Sequence, residues 1–285
     1  MKARPHRGDA FTPPGTIKDI HAILEKEKPD PEKVRALREK PKLIVGSDLM
    51  PKIADRHLVL CPGFMNDRGL WARMEKGLAA LSRCHFADLS QDASLAEIAR
   101  RVLGAAPAKF VLIGFSMGGY VAREVVRQAP LRVTGLVLMN TSARPDGAKV
   151  AERNRGLINV TKERGFRGLS RKALQNSLHP YRRHDDSLLH VMQDMALRMG
   201  EAAFLRQLAL ERRDGRPNLK DIKCPTLVIW SRQDELRSLD EAQELTNGIP
   251  NARLEIIENS GHMTPLEQPD ELSRILRNWL TDADV

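Results

Sequence analysis

The chain has 285 residues, 41% of them hydrophobic and 29% charged, which suits one large domain or a core with an inserted cap. No apolar run approaches the roughly 20 residues of a membrane span, and the basic N-terminal residues lack the apolar segment of a secretory signal. We therefore expect no membrane partner. Three cysteines are an odd, sparse set that argues against a disulfide framework and predicts a reducing, cytoplasmic location.

The formal net charge is +9, and most of it is concentrated in two segments. Residues 1–56 carry a net charge of +4 and residues 142–221 carry +7. A basic excess can attract nucleic acid, anionic lipid or an acidic partner. The sequence has no helix-turn-helix, zinc-finger or RNA-binding aromatic signature, so we predict no nucleic-acid partner. No Cys/His spacing resembles a zinc site, and we expect neither a metal nor a cofactor.

Strand-like runs alternate with helical patterns from residue 57 onward. Six strands are predicted, at residues 57–61, 85–89, 110–115, 133–140, 226–230 and 254–257. Helices are predicted around them, at residues 69–81, 94–103, 117–128, 240–248 and 269–280. Continuous apolar strands that alternate with helices indicate a mostly parallel sheet buried on both faces. The fold class predicted is therefore α/β, with a doubly wound sheet.

Two segments lie outside this alternation. Residues 1–41 form a polar N-terminal extension, predicted to be helical because Asp30 precedes a proline in a pattern typical of a helix start. Residues 141–224 form a long insertion with helical periodicity, predicted to be a cap. Residues 42–140 and 225–285 would then make up the core.

Ser116 lies between two glycines, in the run Gly114-Phe115-Ser116-Met117-Gly118, where a predicted strand leads into a predicted helix. Such a corner is typical of a nucleophile elbow, which holds a serine in a strained conformation with its hydroxyl exposed. The glycines would be required because a side chain would block the close approach of strand and helix. Glycine and serine also punctuate ordinary turns, so the interpretation needs partner residues elsewhere in the chain.

A serine hydroxyl needs a base to become a good nucleophile, and a neutral histidine needs a carboxylate to fix its tautomer. Asp234 follows one predicted strand and His262 follows the next. The carboxyl ends of parallel strands meet at one edge of a sheet, so we expect both residues near Ser116. Glu235 and Asp240 are competing carboxylates, although the position of Asp234 directly after its strand favours Asp234.

These motifs together resemble the α/β-hydrolase fold family, over roughly residues 57–281. Five segments carry the resemblance: LVLCPGFMND, IGFSMGGYVA, LVLMNTSARPD, CPTLVIWSRQD and SGHMTPLEQPDEL. The order and spacing of the five segments are more specific than any one of them. The resemblance implies a sheet with its site at the carboxyl edge and a helical cap inserted after the fourth strand of those predicted here.

The resemblance assigns a role to each matched residue. Ser116 would be the nucleophile, His262 the base and Asp234 the residue that orients the base. The backbone N–H groups of Phe64 and Met117 would form the oxyanion hole. The chain departs from the family by having proline where a histidine commonly precedes the glycine of the oxyanion loop. In some relatives the acid follows the preceding core strand, and that place here is occupied by an asparagine, residue 140.

A serine nucleophile implies attack on a carbonyl, formation of an acyl-enzyme and hydrolysis by water. We therefore expect a hydrolase for a carboxylic ester or thioester of a small to medium acyl group. Members of the family that hydrolyse carbon–carbon bonds usually have a tryptophan after the histidine. Met263 occupies that position here, which disfavours this reaction. Three alternatives stay open: an acyltransferase, a cofactor-free peroxidase-like enzyme, and a non-catalytic homologue that senses a ligand.

Four further residues are expected to contact the substrate. Met65 follows Phe64 of the oxyanion loop, and Met263 follows His262. Both would supply apolar surface to the substrate pocket. Arg182 and Arg183 belong to the basic insertion and would attract an anionic substrate, such as an acyl group on coenzyme A or on an acidic acyl carrier protein. The alternative for these arginines is a solvated helical face. The expected partner is a small-molecule acyl ester or thioester.

Overall fold

The computed structural model describes residues 56–80 and 82–283. The predicted N-terminal extension, residues 1–41, and the first residues of the predicted core, 42–55, lie outside the described residues. No helix in the described part is long and apolar enough to cross a membrane.

Six strands of the described chain form one parallel sheet with the order β2-β1-β3-β4-β5-β6. The strands are β1 His57–Cys61, β2 Arg83–Phe86, β3 Phe110–Phe115, β4 Val133–Met139, β5 Thr226–Ser231 and β6 Ala252–Ile257. Because all the strands are parallel, their carboxyl ends lie at one edge of the sheet. The strand order reverses direction between β1 and β3, where such sheets form a crevice at that edge. The predicted doubly wound α/β fold is confirmed.

Helices connect the strands and cover the sheet. They are α1 Glu75–Ala79, α2 Leu95–Ala105, α3 Met117–Gln128, α4 Ala148–Arg164, α5 Arg171–Asn176, α6 Asp186–Ala209, α7 Leu239–Gly248, α8 Thr264–Glu267 and α9 Pro269–Asp282. Short 3₁₀ segments lie at Arg68–Met74, Pro180–Arg182 and Arg216–Asp221. The chain between β4 and β5 is thus helical wherever it is regular, as the periodicity of residues 141–224 predicts.

Two predicted elements differ most from the observed ones. The helix predicted at residues 69–81 begins as the 3₁₀ segment Arg68–Met74, because the side chain of Asp67 accepts a hydrogen bond from the Gly69 N–H at the start of that segment. The strand predicted at residues 85–89 lies two residues earlier, as β2. This strand is at the edge of the sheet and only half-buried, so its apolar pattern defines its ends poorly.

The side chains of the central strands alternate between two hydrophobic cores, one on each face of the sheet. Along β3, Ile113 and Phe115 pack into the core that contains Trp279 of α9. Leu112 points the other way and packs into the core that contains Val121 of α3. Burial on both faces explains why the central strands are apolar without a polar alternation.

Candidate active site

Ser116 occupies the turn between β3 and α3 in a strained backbone conformation, with φ 52° and ψ −114°. Non-glycine residues rarely adopt a positive φ, so surrounding contacts must hold this one in place. The Ser116 N–H donates to the Met139 carbonyl at 2.9 Å, and the Thr141 hydroxyl donates to the Ser116 carbonyl at 2.7 Å. Met139 ends β4 and Thr141 lies two residues after it, so the end of β4 and the chain that follows fix the turn.

The glycines around Ser116 are required by close packing. A Cβ atom on Gly118 would lie 2.2 Å from the Cys61 carbonyl oxygen at the end of β1. A Cβ atom on Gly114 would lie 2.6 Å from the Gly118 carbonyl oxygen. Side chains at these positions would push α3 away from the sheet and displace the serine. The geometry agrees with the packing role expected from the sequence.

A continuous line of hydrogen bonds connects Ser116 with His262 and Asp234. The Ser116 Oγ atom lies 2.8 Å from His262 Nε2, and His262 Nδ1 lies 2.7 Å from Asp234 Oδ2. The second carboxylate oxygen, Oδ1, accepts from the N–H groups of Leu236 and Arg237 at 2.8 and 3.0 Å. The carboxylate is thereby oriented before it meets the imidazole. This arrangement can transfer a proton from the hydroxyl to the imidazole while the carboxylate stabilises the resulting cation.

The competing carboxylates lie elsewhere. Glu235 is exposed and forms an ion pair with Arg183. Asp240 is in the first turn of α7, where an acidic residue favours the positive end of the helix dipole. The side chain of Asp234, in contrast, is fully buried against His262.

The loop that carries His262 is bound to β4 and β5 through Asn140. The Asn140 Nδ2 group donates to the His262 carbonyl at 2.9 Å and to the Thr264 hydroxyl at 2.8 Å. Its Oδ1 atom accepts from the Ser231 N–H at 3.0 Å. The Phe115 ring packs against the imidazole with ring centroids 5.1 Å apart. These contacts set the distance between the imidazole and the serine.

The histidine loop is also bound to the helical insertion. The N–H groups of His262 and Met263 both point to the Ser177 carbonyl, at 2.9 and 3.2 Å. The buried Glu267 carboxylate accepts from the Gly261 N–H at 2.9 Å and from the His179 N–H at 2.7 Å. Burial raises the pKa of the Glu267 carboxyl, although the N–H groups that it accepts from lower it. The insertion is thus part of the support of His262.

The predicted oxyanion loop follows β1. Neither the Phe64 N–H nor the Met117 N–H donates to an acceptor among the residues that the structure describes. The next N–H in the loop, that of Met65, donates to Gln207 Oε1 at 2.8 Å, and Gln207 Nε2 donates to the Leu89 carbonyl at 3.1 Å. Gln207 is a buried residue of α6, so the insertion also determines the position of the loop.

A cavity of about 1110 Å³ lies over Ser116 and His262. Phe64, Met117 and Met263 line it, as expected for residues near the substrate. The insertion provides much of the remaining wall, with residues such as Asn154, Leu157, Leu174, Met192, Phe204 and Leu208.

Three of the expected substrate residues do not line this cavity. Met65 is fully buried and packs against Ala196 and Phe204, because its backbone φ of 53° turns the side chain into the insertion. Arg182 binds the Asp185 carboxylate and the Glu267 carbonyl. Arg183 forms its ion pair with a carboxylate outside the cavity lining. The local acidic partners of these two arginines explain their placement.

Sequence reasoning did not identify three buried polar residues that support the site: Asn140, Gln207 and Glu267. Each is a polar residue with under a tenth of its surface exposed. Asn140 was expected only as the occupant of an alternative position for the acid. A polar residue directly after an apolar strand is the one sequence signal that could have identified it.

The parallel sheet, the sharp turn at Ser116 and the hydrogen-bonded histidine at the carboxyl edge define the architecture of an α/β hydrolase. The profile of the alpha/beta hydrolase family matches residues 58–275. The chain therefore belongs to this family and is a hydrolase of the α/β-hydrolase class.

Three relatives illustrate the similarity. The pimeloyl-(acyl-carrier protein) methyl ester esterase of Yersinia pseudotuberculosis is 28% identical over 245 residues, which cover 79% of this chain and 93% of the relative. The monoacylglycerol lipase ABHD6 of Bos taurus is 24% identical over 260 residues, which cover 79% of this chain and 75% of the relative. The structure of a thermophilic esterase from Thermogutta terrifontis superposes with a TM-score of 0.71 and 26% identity, covering 81% of this chain and 92% of that one.

Proposed function

We propose that the protein hydrolyses carboxylic esters through an acyl-enzyme formed on Ser116. The observation that carries the proposal is the hydrogen-bonded line from Ser116 through His262 to Asp234. Ser116 has a positive φ, its backbone N–H and carbonyl are both hydrogen-bonded, and its hydroxyl lies next to an imidazole. This is the arrangement of an activated nucleophile. Similarity to proteins named as an esterase, a methyl ester esterase and a lipase agrees with ester substrates.

The proposed reaction has two halves. His262 Nε2 accepts the hydroxyl proton as Ser116 Oγ attacks the ester carbonyl, and Asp234 stabilises the imidazolium that forms. The tetrahedral oxyanion binds the N–H groups of Phe64 and Met117, which have no other acceptor among the described residues. The bond from the acyl carbon to the leaving oxygen then breaks as His262 donates its proton to that oxygen, which departs as the alcohol. Water, activated by the same imidazole, hydrolyses the acyl-enzyme and restores the serine.

We further propose that residues 141–224 act as a cap that forms the acyl-binding wall. The support is their contribution to a cavity of about 1110 Å³, in which Leu157, Met192 and Phe204 provide apolar surface. A cavity of this kind buries an apolar chain and leaves the ester at the serine. A small to medium acyl group fits this lining.

A thioester is the second candidate substrate, because the same attack and the same oxyanion apply to it. The similarity to an enzyme named for an ester on an acyl carrier protein favours testing an acyl group on a carrier. Acyl transfer, peroxidase-like chemistry and ligand sensing use the same residues. Hydrolysis is preferred over these because the relatives reported above are named as hydrolases.

The test is covalent labelling of Ser116 by a fluorophosphonate, measured by intact mass. We expect the wild-type protein to gain one label and Ser116→Ala to gain none, together with loss of p-nitrophenyl ester hydrolysis. Equal labelling of both proteins would exclude Ser116 as the nucleophile. Labelling without turnover of any ester or thioester would favour the ligand-sensing alternative.

A further inference from the structure

The thirteen arginines of the insertion fall into three groups, according to the partners that bind their side chains. Eight form ion pairs: Arg144, Arg171, Arg182, Arg183, Arg198, Arg212, Arg213 and Arg216. Arg206 donates to a backbone carbonyl. The other four have no carboxylate partner among the described residues: Arg153, Arg155, Arg164 and Arg167. All four lie on α4 or on the loop that follows it.

Three of these four arginines line the cavity over Ser116, and so does Lys172 of α5, which also has no carboxylate partner in the described chain. Among the described lining residues one is acidic, Asp146, and it already forms an ion pair with Arg212 at 2.7 Å. The lining therefore carries four cations without a carboxylate partner in the described chain, and its one carboxylate is already paired. Apolar walls around such a cavity concentrate its field and favour an anion inside it.

The unpaired cations are arranged along the cavity face of α4. A helix rises about 1.5 Å per residue, so Arg153 and Arg164 are separated by roughly 16 Å along its axis. Leu157 and Val160 lie between them, and both are exposed, at 40% and 50%. The wall thus presents an apolar middle with positive charge at each end. Leu236 adds a further exposed apolar side chain to the lining.

The loop between α4 and α5 carries Arg167 and joins Arg164 to Lys172, so these three lining cations are close in sequence, and the loop is held in a defined shape. Gly165 and Gly168 have φ values of 74° and 89°, which turn the chain between Arg164 and Lys172. The Phe166 N–H donates to the Glu201 carboxylate at 2.8 Å. Hydrogen bonds to α6 from the middle of the loop are therefore in place before any ligand binds, which lowers the entropy lost on binding.

The dipole of α4 explains only one of these cations. Arg164 is in the last turn, where a cation favours the negative end of a helix. Arg167 follows the helix and Lys172 belongs to the first turn of α5, where a cation is disfavoured. Their shared feature is the cavity, so a ligand in the cavity explains them better than helix stability does.

We propose that Arg164, Arg167 and Lys172 form an anion subsite, and that the preferred substrates are esters or thioesters carrying a carboxylate or phosphate beyond an apolar stretch. This inference rests on the proposed function for its reaction, and it adds the class of substrate. The apolar middle of α4 would contact the chain while the three cations bind the anionic end. The anionic group can belong to the acyl chain or to the leaving group, and a substrate pair for each source separates the two.

The experiment compares substrates with the same acyl chain length that differ in whether they carry an anionic group. Mono-p-nitrophenyl octanedioate is compared with p-nitrophenyl octanoate, which places a carboxylate on the acyl chain. Octanoyl-coenzyme A is compared with octanoyl-N-acetylcysteamine, which places phosphates on the leaving group. At low salt we expect the anionic member of at least one pair to have about tenfold higher kcat/KM, and the preference to weaken as salt is added.

The variants locate the preference. In Arg164→Gln/Arg167→Gln/Lys172→Gln the ratio of anionic to neutral kcat/KM should fall about tenfold, to near that of an uncharged cavity. Lys149→Gln/Arg155→Gln/Lys162→Gln is the matched control, because it also removes three exposed cations from α4, and none of these three lines the cavity. We expect that control to keep the wild-type ratio. An equal fall in both variants would replace the subsite by a general field and overturn the proposal.

Binding of octanedioic acid monoamide and octanamide, and of coenzyme A and pantetheine, measured by calorimetry, gives a readout that does not need turnover. The proposal requires tighter binding of the monoamide than of octanamide, or of coenzyme A than of pantetheine, to the wild-type protein, and loss of that preference in the Arg164→Gln/Arg167→Gln/Lys172→Gln variant. If neutral esters are hydrolysed in a Ser116-dependent way while neither anionic ligand is preferred, the subsite is absent and the proposed function stands. If anions bind at the subsite while no substrate is hydrolysed, the proposed function fails and the subsite stands.

Discussion

The Asn140 side chain donates a hydrogen bond from Nδ2 to the carbonyl oxygen of His262, with the two atoms 2.9 Å apart. Asn140 follows β4 directly and has a φ of 45°, a conformation that asparagine tolerates better than most residues. The residue therefore connects the end of a central strand to the loop that carries the proposed base. This position holds a donor, and a carboxylate there could not make the same bond.

Replacing Asn140 by alanine should lower both stability and activity. The Ser231 N–H and the His262 carbonyl would lose a partner in a buried environment, which costs about 2–4 kcal/mol of unfolding free energy. The loosened loop would move His262 away from Ser116 and lower kcat by roughly 10-fold or more. Urea unfolding and ester hydrolysis measure the two effects. A variant with normal kcat would show that Asn140 has no part in positioning the base.

Replacing Asp234 by asparagine should lower kcat by about 10⁴-fold with little loss of stability. The N–H groups of Leu236 and Arg237 point to Oδ1, so they would keep the amide oxygen there and turn the amide nitrogen towards His262. An amide N–H that donates to His262 Nδ1 forces the imidazole proton onto Nε2. A protonated Nε2 can no longer accept the serine proton. Steady-state kinetics at saturating ester measure the loss.

Glu235→Gln is the matched control for this prediction. Glu235 is the neighbouring carboxylate, but it is exposed and paired with Arg183 outside the cavity. We expect it to keep kcat within a factor of two or so, since exposed ion pairs contribute little. A large loss in this variant and a small one in Asp234→Asn would mean that the orienting acid has been misassigned.

The sequence predicted the fold well because the central strands are buried on both faces. The run Phe110–Phe115 is apolar throughout and the turn after it is sharp, so strand, turn and helix were all identifiable from local pattern. Errors occurred where local pattern is weak. The edge strand β2 was predicted two residues too late, and a 3₁₀ segment begins the helix expected at residues 69–81.

The supporting contacts of the site could not be predicted in the same way, because they join residues far apart in the chain. Gln207 contacts the backbone of Met65, 142 residues away, and Glu267 contacts His179, 88 residues away. No spacing rule relates such pairs. Arg182 and Arg183 are a case in which local sequence pattern misled. Their charge suggested contact with an anionic substrate, but each forms an ion pair with a carboxylate of the protein instead.

Gly118→Ala should abolish the active conformation. The new methyl group would lie 2.2 Å from the Cys61 carbonyl oxygen, so β1 and α3 would have to separate at the serine. We expect a large fall in the midpoint of thermal unfolding and loss of fluorophosphonate labelling. Gly156→Ala is the control on α4, where an added Cβ atom meets nothing within 4 Å. Helix propensity predicts that this control gains about 0.5–1 kcal/mol. Equal stability of the two variants would show that the elbow tolerates a side chain.

Glu267 should make the stability of the protein fall as pH rises. Burial raises the pKa of its carboxyl above the ordinary value of 4.5, so the folded state binds the proton more tightly than the unfolded state. The stabilising contribution is fully present below pH 4.5 and is lost as pH rises through the higher folded pKa. Glu267→Gln cannot titrate and lacks this term, although it also loses one acceptor for the Gly261 and His179 N–H groups.

The measurement is the unfolding free energy from urea titrations across this pH range, for the wild-type protein, Glu267→Gln and Glu271→Gln. The difference between wild type and Glu267→Gln should decrease as pH rises above 4.5, because only the wild-type protein releases the proton. Glu271 is the opposite case: a hydrogen bond from Arg274 lowers the pKa of its carboxyl, so its contribution is lost as pH falls. Its difference from wild type should change in the other direction and by less, because the pair is exposed to solvent. Parallel curves for wild type and Glu267→Gln would mean that folding does not raise the pKa of the Glu267 carboxyl. The link that Glu267 makes between the histidine loop and the insertion would then be insensitive to pH.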